Sequence, residues 1–271
     1  MTTLPSQLPE LRQLMQRDHG GDIERLNVLL NRNGYSGLEN VPPAPFAGDI
    51  DAAMGAGGIC LIGINPQYPA RRKPHELEIR PTIEMVSRLL DGDEGGFDEF
   101  VASRLGYFRG GMANWVHYAK LGEGYARSFF PGEDSRSVWD RGVFAADILP
   151  YWSRDTSKIS FSRLKRQVRD DPALALHQKF LSRLIATTRP SMIHVNGNDA
   201  RKLVDEFYCS STLSNWRGAS TEKNLMFGYA TIEGERIPVM AHNQFGQWTT
   251  HGKYWPRFVE KWNDWRREEK Y

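Results

Sequence analysis

The segment Gly58–Pro66 constrains the fold more than any other part of the chain. It reads Gly-Ile-Cys-Leu-Ile-Gly-Ile-Asn-Pro, so a short apolar strand runs directly into a turn closed by proline. Pro66 favours an extended Asn65, and Gly63 allows the backbone to approach a ligand closely. In an open α/β sheet, ligands bind beyond the carboxyl ends of the strands. The segment therefore predicts a strand that carries the Asn65 amide to such a place, although Asn-Pro is also a common turn dipeptide.

Three further short apolar segments predict strands, and each is followed by a polar or basic side chain. They are Gly142–Ala146, Ser191–Val195 and Arg236–Ala241, followed by Asp147, Asn196 and His242. Helical patterns lie between these strands, which is typical of a parallel sheet with helices on both faces. We therefore predict an α/β fold: a three-layer α/β/α sandwich around a central, mainly parallel four-stranded sheet.

The length of 271 residues and a composition of 40% apolar and 25% charged residues fit one globular domain. Within this domain, 1–271, we expect residues 1–54 to form an N-terminal helical extension. Residues 91–135 are rich in glycine and aromatic side chains, and we expect an irregular insertion with short helices there. Residues 210–235 predict a hairpin or an irregular excursion.

Several classes of protein are disfavoured by the sequence. The two cysteines, Cys60 and Cys209, have no metal-binding spacing, and neither a Gly-x-Gly-x-x-Gly motif nor a Walker loop occurs. We therefore expect no metal and no cofactor. No apolar stretch is long enough to span a membrane and no signal peptide is visible, so we expect a cytoplasmic monomer without a membrane partner. The net charge of +2 neither indicates nor opposes nucleic-acid binding.

The order of the motifs resembles that of the uracil-DNA glycosylase superfamily. Gly63-Ile64-Asn65-Pro66 is similar to the motif of its mismatch-specific and single-strand-selective branches, and Asp147–Pro150 is similar to its base-recognition strand. His242 lies where the second family motif begins, but Asn243 and Gln244 follow it where the family usually has Pro-Ser. The resemblance covers roughly residues 55–265 as an order of motifs. It implies a monofunctional DNA glycosylase with DNA as its partner.

The resemblance also implies roles for the strand-end residues. Cleavage of an N-glycosidic bond builds positive charge on the sugar and negative charge on the leaving base. Asn65 would hold a water against the sugar carbon, and His242 would donate a hydrogen bond to the base as charge develops there. Asparagine cannot take a proton at neutral pH, so Asn65 would act by positioning.

Asp147 indicates which base is bound. Uracil-specific relatives have asparagine at this position, whereas a carboxylate only accepts hydrogen bonds. It would repel O4 of uracil and accept from the N4 amine of cytosine. Host DNA is full of plain cytosine, so we expect a modified cytosine, such as the hydroxymethylated or glucosylated bases of phage DNA, and a role in anti-phage defence. The alternative is a structural Asp147 that caps a turn or pairs with Arg154.

Further candidates flank these motifs. A flipped base needs an aromatic wall, for which we expect Tyr68, Tyr151 or Trp152. The basic run Arg71, Arg72 and Lys73 follows the Asn65 motif, and Asn243, Gln244 and Phe245 follow His242; both segments are expected to contact DNA. A second basic group, formed by Lys158, Arg163, Lys165, Arg166 and Arg169, reads more readily as a solvated charged surface.

Two alternatives remain open at this point. The first is a repair glycosylase for uracil, hypoxanthine or a mismatched base. The second is a catalytically inactive protein that binds or senses DNA, because the residues after His242 differ from the family pattern.

Overall fold

The computed structural model describes residues 3–32, 37–68, 75–109, 115–209, 214–215, 225–242 and 255–268. The strands in these ranges are β1 (Ile59–Gly63), β2 (Val143–Asp147), β3 (Met192–Asn196), β4 (Ser214–Asn215), β5 (Met226–Ile232) and β6 (Glu235–His242). They form one sheet in the order β2-β1-β3-β6-β5-β4.

The four predicted strands are confirmed, and so is their parallel arrangement. β2, β1, β3 and β6 are neighbours and run parallel. The predicted count of four is wrong, because β5 adds an antiparallel strand next to β6 and the two-residue β4 pairs with its outer side. The β5–β6 turn explains the pairing: Glu233 and Gly234 have φ values of 49° and 85°. Two residues with positive φ form the tight turn that matches the twist of a hairpin.

The described residues also form twelve α-helices. They are α1 (Leu4–Gln7), α2 (Pro9–Met15), α3 (His19–Leu29), α4 (Ile50–Gly55), α5 (Arg80–Leu90), α6 (Glu94–Leu105), α7 (Trp115–Phe129), α8 (Ser135–Arg141), α9 (Phe161–Asp170), α10 (Pro172–Thr188), α11 (Asn198–Tyr208) and α12 (Trp255–Glu268). A π-helical turn spans His75–Ile79 and a 3₁₀ turn spans Thr156–Lys158.

Helices cover both faces of the sheet, because side chains that alternate along each strand enter two different buried clusters. In β1, Cys60 and Ile62 join one cluster, whereas Ile59 and Leu61 join the other. The first cluster includes side chains of α2–α6 and α9–α11, and we call this side the α10 face. The second includes side chains of α7, α8 and α12, and we call it the α7 face. This arrangement is consistent with three layers.

The N-terminal helices are part of the main core. Leu11 of α2, Leu26 of α3 and Ile50 of α4 are fully buried in the cluster on the α10 face. Ion pairs reinforce this contact, since Arg25 binds both Asp22 (2.7 Å) and Asp171 (2.8 Å), the residue that caps α10. The described part of residues 1–54 thus contributes helices that pack into the main core.

The described residues of 91–135 do form helices, but these are longer and more regular than predicted. α6, α7 and the start of α8 lie there. Some of the glycines that suggested loops lie where helices approach each other closely. A Cβ at Gly96 would overlap the backbone of α5, and one at Gly124 would lie 3.0 Å from the Trp255 ring of α12. Gly92 and Gly132, by contrast, have φ values of 90° and 91° and lie in turns, so only part of the glycine content reflects tight helix packing.

Candidate functional site

The carboxyl ends of the four parallel strands meet at one edge of the sheet, as predicted. Gly63 pairs with Asp147, and Asn196 pairs with His242. Ile62 pairs with Val195, so β1 and β3 end at the same level. Because neighbouring strands are about 4.8 Å apart, Asp147, Gly63, Asn196 and His242 follow one another across roughly 15 Å.

Three of these strand-end residues belong to the α7 face. The residue two positions before each of them lies on that face. Leu61 and Ala145 pack in the cluster there, and His194 forms a hydrogen bond with Tyr125 of α7. Side chains alternate with a period of two along a strand. Gly63, Asp147 and Asn196 therefore lie on the α7 side of the sheet edge.

Asp147 carries a carboxyl group without a hydrogen-bond partner among the described residues. Its Oδ1 lies directly beside Gly63, where a Cβ would overlap it. Burial raises the pKa of Asp147 to about 7, and the charge of Arg104 opposes this rise only in part. Arg154 binds Glu39 (2.8 Å), which contradicts the alternative of an Asp147–Arg154 pair. Asp147 is thus a half-buried acid without a hydrogen-bond partner among the described residues, and its pKa lies near neutral pH.

The backbone around Asp147 is held from the α10 face. His177 Nε2 lies 2.7 Å from the carbonyl oxygen of Asp147, and the Gln178 amide donates to that of Ile148 (2.8 Å). Tyr208 in turn donates to Gln178. Burial lowers the pKa of His177 to about 4, so its ring is neutral at pH 7 and Nε2 carries the proton that it donates. These contacts fix the point where β2 leaves the sheet.

Asn65 connects the two loops that leave β1 and β2. Its amide nitrogen donates to Ser153 Oγ (2.8 Å) and to the carbonyl oxygen of Pro66 (3.0 Å). Its Oδ1 accepts a hydrogen bond from Thr156 (2.9 Å). An amide oxygen has two lone pairs, so one remains for a water or a ligand. Asn65 is therefore held in one orientation, with a single acceptor position open.

The predicted aromatic wall is only partly present. Tyr151 is fully buried, with its hydroxyl 3.4 Å from Asp22, and Trp152 is buried with its indole N–H on Pro42 O (3.1 Å). Both rings pack in the core, so neither offers a face to a base in this structure. Tyr68 is half-buried beside Trp152, with Arg154 5.2 Å above its ring, and remains the candidate.

Several predicted residues can be placed only in part. His242 ends β6 opposite Asn196, and nothing further is described of its side chain. The segments predicted to contact DNA lie outside the described residues: Arg71, Arg72, Lys73, Asn243, Gln244 and Phe245.

A buried ion pair near Asp147 was not predicted from the sequence. Arg104 donates to the carbonyl oxygen of Phe46 (2.7 Å) and lies 3.3 Å from Glu78. Its guanidinium also stacks over the Tyr107 ring at 4.6 Å. Burial raises the pKa of Glu78, and the charge of Arg104 opposes this rise. Glu78 lies in the π-helical turn and Arg104 lies near the end of α6. Because the two residues are 26 positions apart in the sequence, no local pattern could have indicated the pair.

Comparison with known proteins adds no assignment: no protein-family model matches the chain, and no curated protein matches it. In the described part of the chain, no cluster of three His, Cys, Asp or Glu side chains is arranged to hold a metal ion. The helices described above also include none with the length and apolar character that crossing a membrane requires.

Proposed function

We propose that this protein is a DNA glycosylase that hydrolyses the N-glycosidic bond of a flipped, modified cytosine and leaves an abasic site. The observation that carries the proposal is the unpaired Asp147 carboxyl group beside Gly63, at the carboxyl end of a parallel strand. A half-buried acid without a hydrogen-bond partner is unfavourable for the fold, and such groups cluster at functional sites.

The chemistry of Asp147 suits the pairing edge of cytosine in both of its protonation states. As a carboxylate it accepts from the N4 amine, and as a neutral acid it also donates to N3. Uracil offers an N–H at position 3 and an oxygen at position 4, so only the neutral acid fits it. With a pKa of about 7, discrimination against uracil should increase as the pH rises above 7.

Asn65 would position the attacking water. The open lone pair of Oδ1 accepts a hydrogen bond from water, while Ser153 and Thr156 hold the amide still. As the bond from C1′ to the base breaks, its electron pair leaves with the base. The water oxygen then bonds to C1′, and a water proton ends on the free base. The contribution of Asn65 is orientation, and that of His242 is a hydrogen bond to the departing base.

Tyr68 would stack on the ring of the flipped base. Flipping the base out of the duplex costs a few kcal/mol. A cytosine modification absent from host DNA explains why such an enzyme would spare the host genome, and it fits a role in anti-phage defence.

The test uses matched duplexes and single strands with cytosine, hydroxymethylcytosine, glucosylated hydroxymethylcytosine or uracil at one position, assayed for alkali-labile sites at pH 6 and pH 8. Excision of a modified cytosine alone supports the proposal in full. Excision of uracil that declines from pH 6 to pH 8 supports a repair glycosylase in which Asp147 reads the base as a neutral acid. No excision, with DNA still bound, would contradict the enzyme and favour a binding or sensing role.

A further inference from the structure

A basic surface lies beside Asn65 and is formed by two chain segments that pair outside the sheet. Asn31 and Ile159 form an antiparallel bridge. The backbone N–H of Arg32 donates to Lys158 O (3.0 Å), and that of Ser160 donates to Leu30 O (2.7 Å). This pairing places Arg32 and Lys158 next to each other, and both are exposed.

Helix α9 extends this surface. Leu164 and Val168 bury one side of the helix in the core, so Arg163 and Arg166 lie on its exposed side. Arg163 also donates to Asn31 Oδ1 (3.2 Å), which ties the helix to the paired segments. We call Arg32, Lys158, Arg163 and Arg166 the basic surface.

None of these four cations forms a salt bridge with a described carboxylate, although hydrogen bonds from Ser157 and, to a lesser extent, the charge of Lys158 lower the pKa of Asp155. Within the described ranges, no carboxylate oxygen lies within 4 Å of any of them, whereas Lys165 of the same helix pairs with Glu206. Asp155 is the acidic residue nearest in sequence, and its carboxylate accepts from the backbone N–H of Ser157 (2.9 Å). A cationic surface without internal ion pairs retains its charge for an anionic partner.

The basic surface adjoins the site through one short turn. Thr156 begins the 3₁₀ turn that Lys158 ends, and the Thr156 hydroxyl donates to Asn65 Oδ1. Two residues span at most about 7 Å, so the Lys158 backbone lies within about 7 Å of Thr156. Adjacent phosphates on one DNA strand are separated by a similar distance.

We propose that the basic surface binds the phosphates of the DNA strand that carries the flipped base. The kind of partner rests on the proposed function, but binding through phosphates does not require that any base be excised. Each phosphate contact releases counterions, so binding should weaken as salt is added.

The test compares two double variants by fluorescence anisotropy with a labelled duplex at several salt concentrations. Arg32→Gln/Lys158→Gln removes two charges from the basic surface. Arg141→Gln/Arg189→Gln removes two exposed charges at the opposite edge of the sheet, since Arg141 precedes β2 and Arg189 precedes β3. Thermal unfolding checks that both variants fold, because exposed substitutions usually change stability by less than about 0.5 kcal/mol.

We expect the basic-surface variant to bind on the order of tenfold more weakly, with a salt slope lower by about 1.8, and the control to match the natural chain. An unchanged slope, equal losses in both variants, or no DNA binding by the natural chain would overturn this inference. The excision assay is read separately. Excision with an unchanged slope would contradict the basic surface alone, whereas surface-dependent binding without excision would contradict the proposed function alone.

Discussion

Gly63→Ala would test the base-reading role of Asp147 without removing its carboxyl group. A methyl group at Gly63 would overlap Asp147 Oδ1, and the only atoms it would crowd belong to that side chain. The backbone of Gly63 does not require glycine, since its φ is not positive. The carboxyl group can therefore rotate away, and we expect little change in the free energy of unfolding.

The size of the effect follows from the overlap. To reach ordinary contact, Oδ1 must retreat by about 1 Å, and a displacement of about 1 Å in a positioned group can lower the rate on the order of 10²-fold. This corresponds to about 2.7 kcal/mol of transition-state stabilisation. The loss should appear in kcat/KM for the modified cytosine, while duplex affinity should stay unchanged.

The assay is single-turnover excision from a duplex, with the abasic product quantified after alkali treatment. Gly55→Ala is the matched control, because Gly55 lies in α4 with open space around its Cβ position and no positive φ. That substitution should leave excision unchanged and raise stability by up to about 1 kcal/mol. Full activity of Gly63→Ala would refute the placement of the base against Asp147.

Substitutions at four residues test Asp147 and the contacts around it. Asp147→Asn should unfold at a higher temperature than the natural chain at pH 8 and at the same temperature at pH 4. Burial raises the pKa of Asp147 from 3.8 to about 7, so the stability of the protonated state is lost as the pH rises between these values. A difference in melting temperature that does not depend on pH would contradict this. His177→Leu should lower the free energy of unfolding by about 1–3 kcal/mol in urea titrations, because it leaves the Asp147 carbonyl oxygen without its donor, whereas His177→Gln should retain most of the stability. Asn65→Ala should abolish excision while DNA stays bound. Thr156→Val should lower kcat more than it changes KM, because loss of the Thr156 hydroxyl frees the Asn65 amide to rotate. Losses of stability alone in both variants would show that Asn65 only joins the two loops.

The parts of the fold that could be predicted from sequence are those with a strong local period. The sequence pattern predicts helices at 80–90, 173–188, 199–207 and 253–268, and these occur as α5, α10, α11 and α12 within two residues. The four parallel strands were also predicted, because each is an apolar run bounded by polar or turn residues. A hairpin, one of the two outcomes expected for 210–235, occurs as the antiparallel pair β4–β5, whereas the pairing of β5 with β6 was not predicted, because it depends on the tight turn that follows β5.

Features that depend on distant contacts were predicted less well. Asp22 reads as a helix cap, yet Asp18 caps α3 and Asp22 is buried in ion pairs with Arg17 and Arg25. Tyr151 and Trp152 follow the Asp147 strand closely, but the N-terminal segments cover both rings. The sequence places these residues near the site without indicating which side chains the rest of the chain will bury.

At the end of β2, each face of the sheet has a polar group without a hydrogen-bond partner among the described residues. On the α10 face, His177 donates to the Asp147 backbone, while its buried Nδ1 has no partner among the described residues. On the α7 face, the Asp147 carboxyl group also has no hydrogen-bond partner among the described residues. Each of these unbonded polar atoms costs stability, so packing alone does not account for either of them. The fold thus retains a neutral histidine that fixes the backbone and an acid that stays unbonded, and a ligand with both a donor and an acceptor at its edge would satisfy that acid.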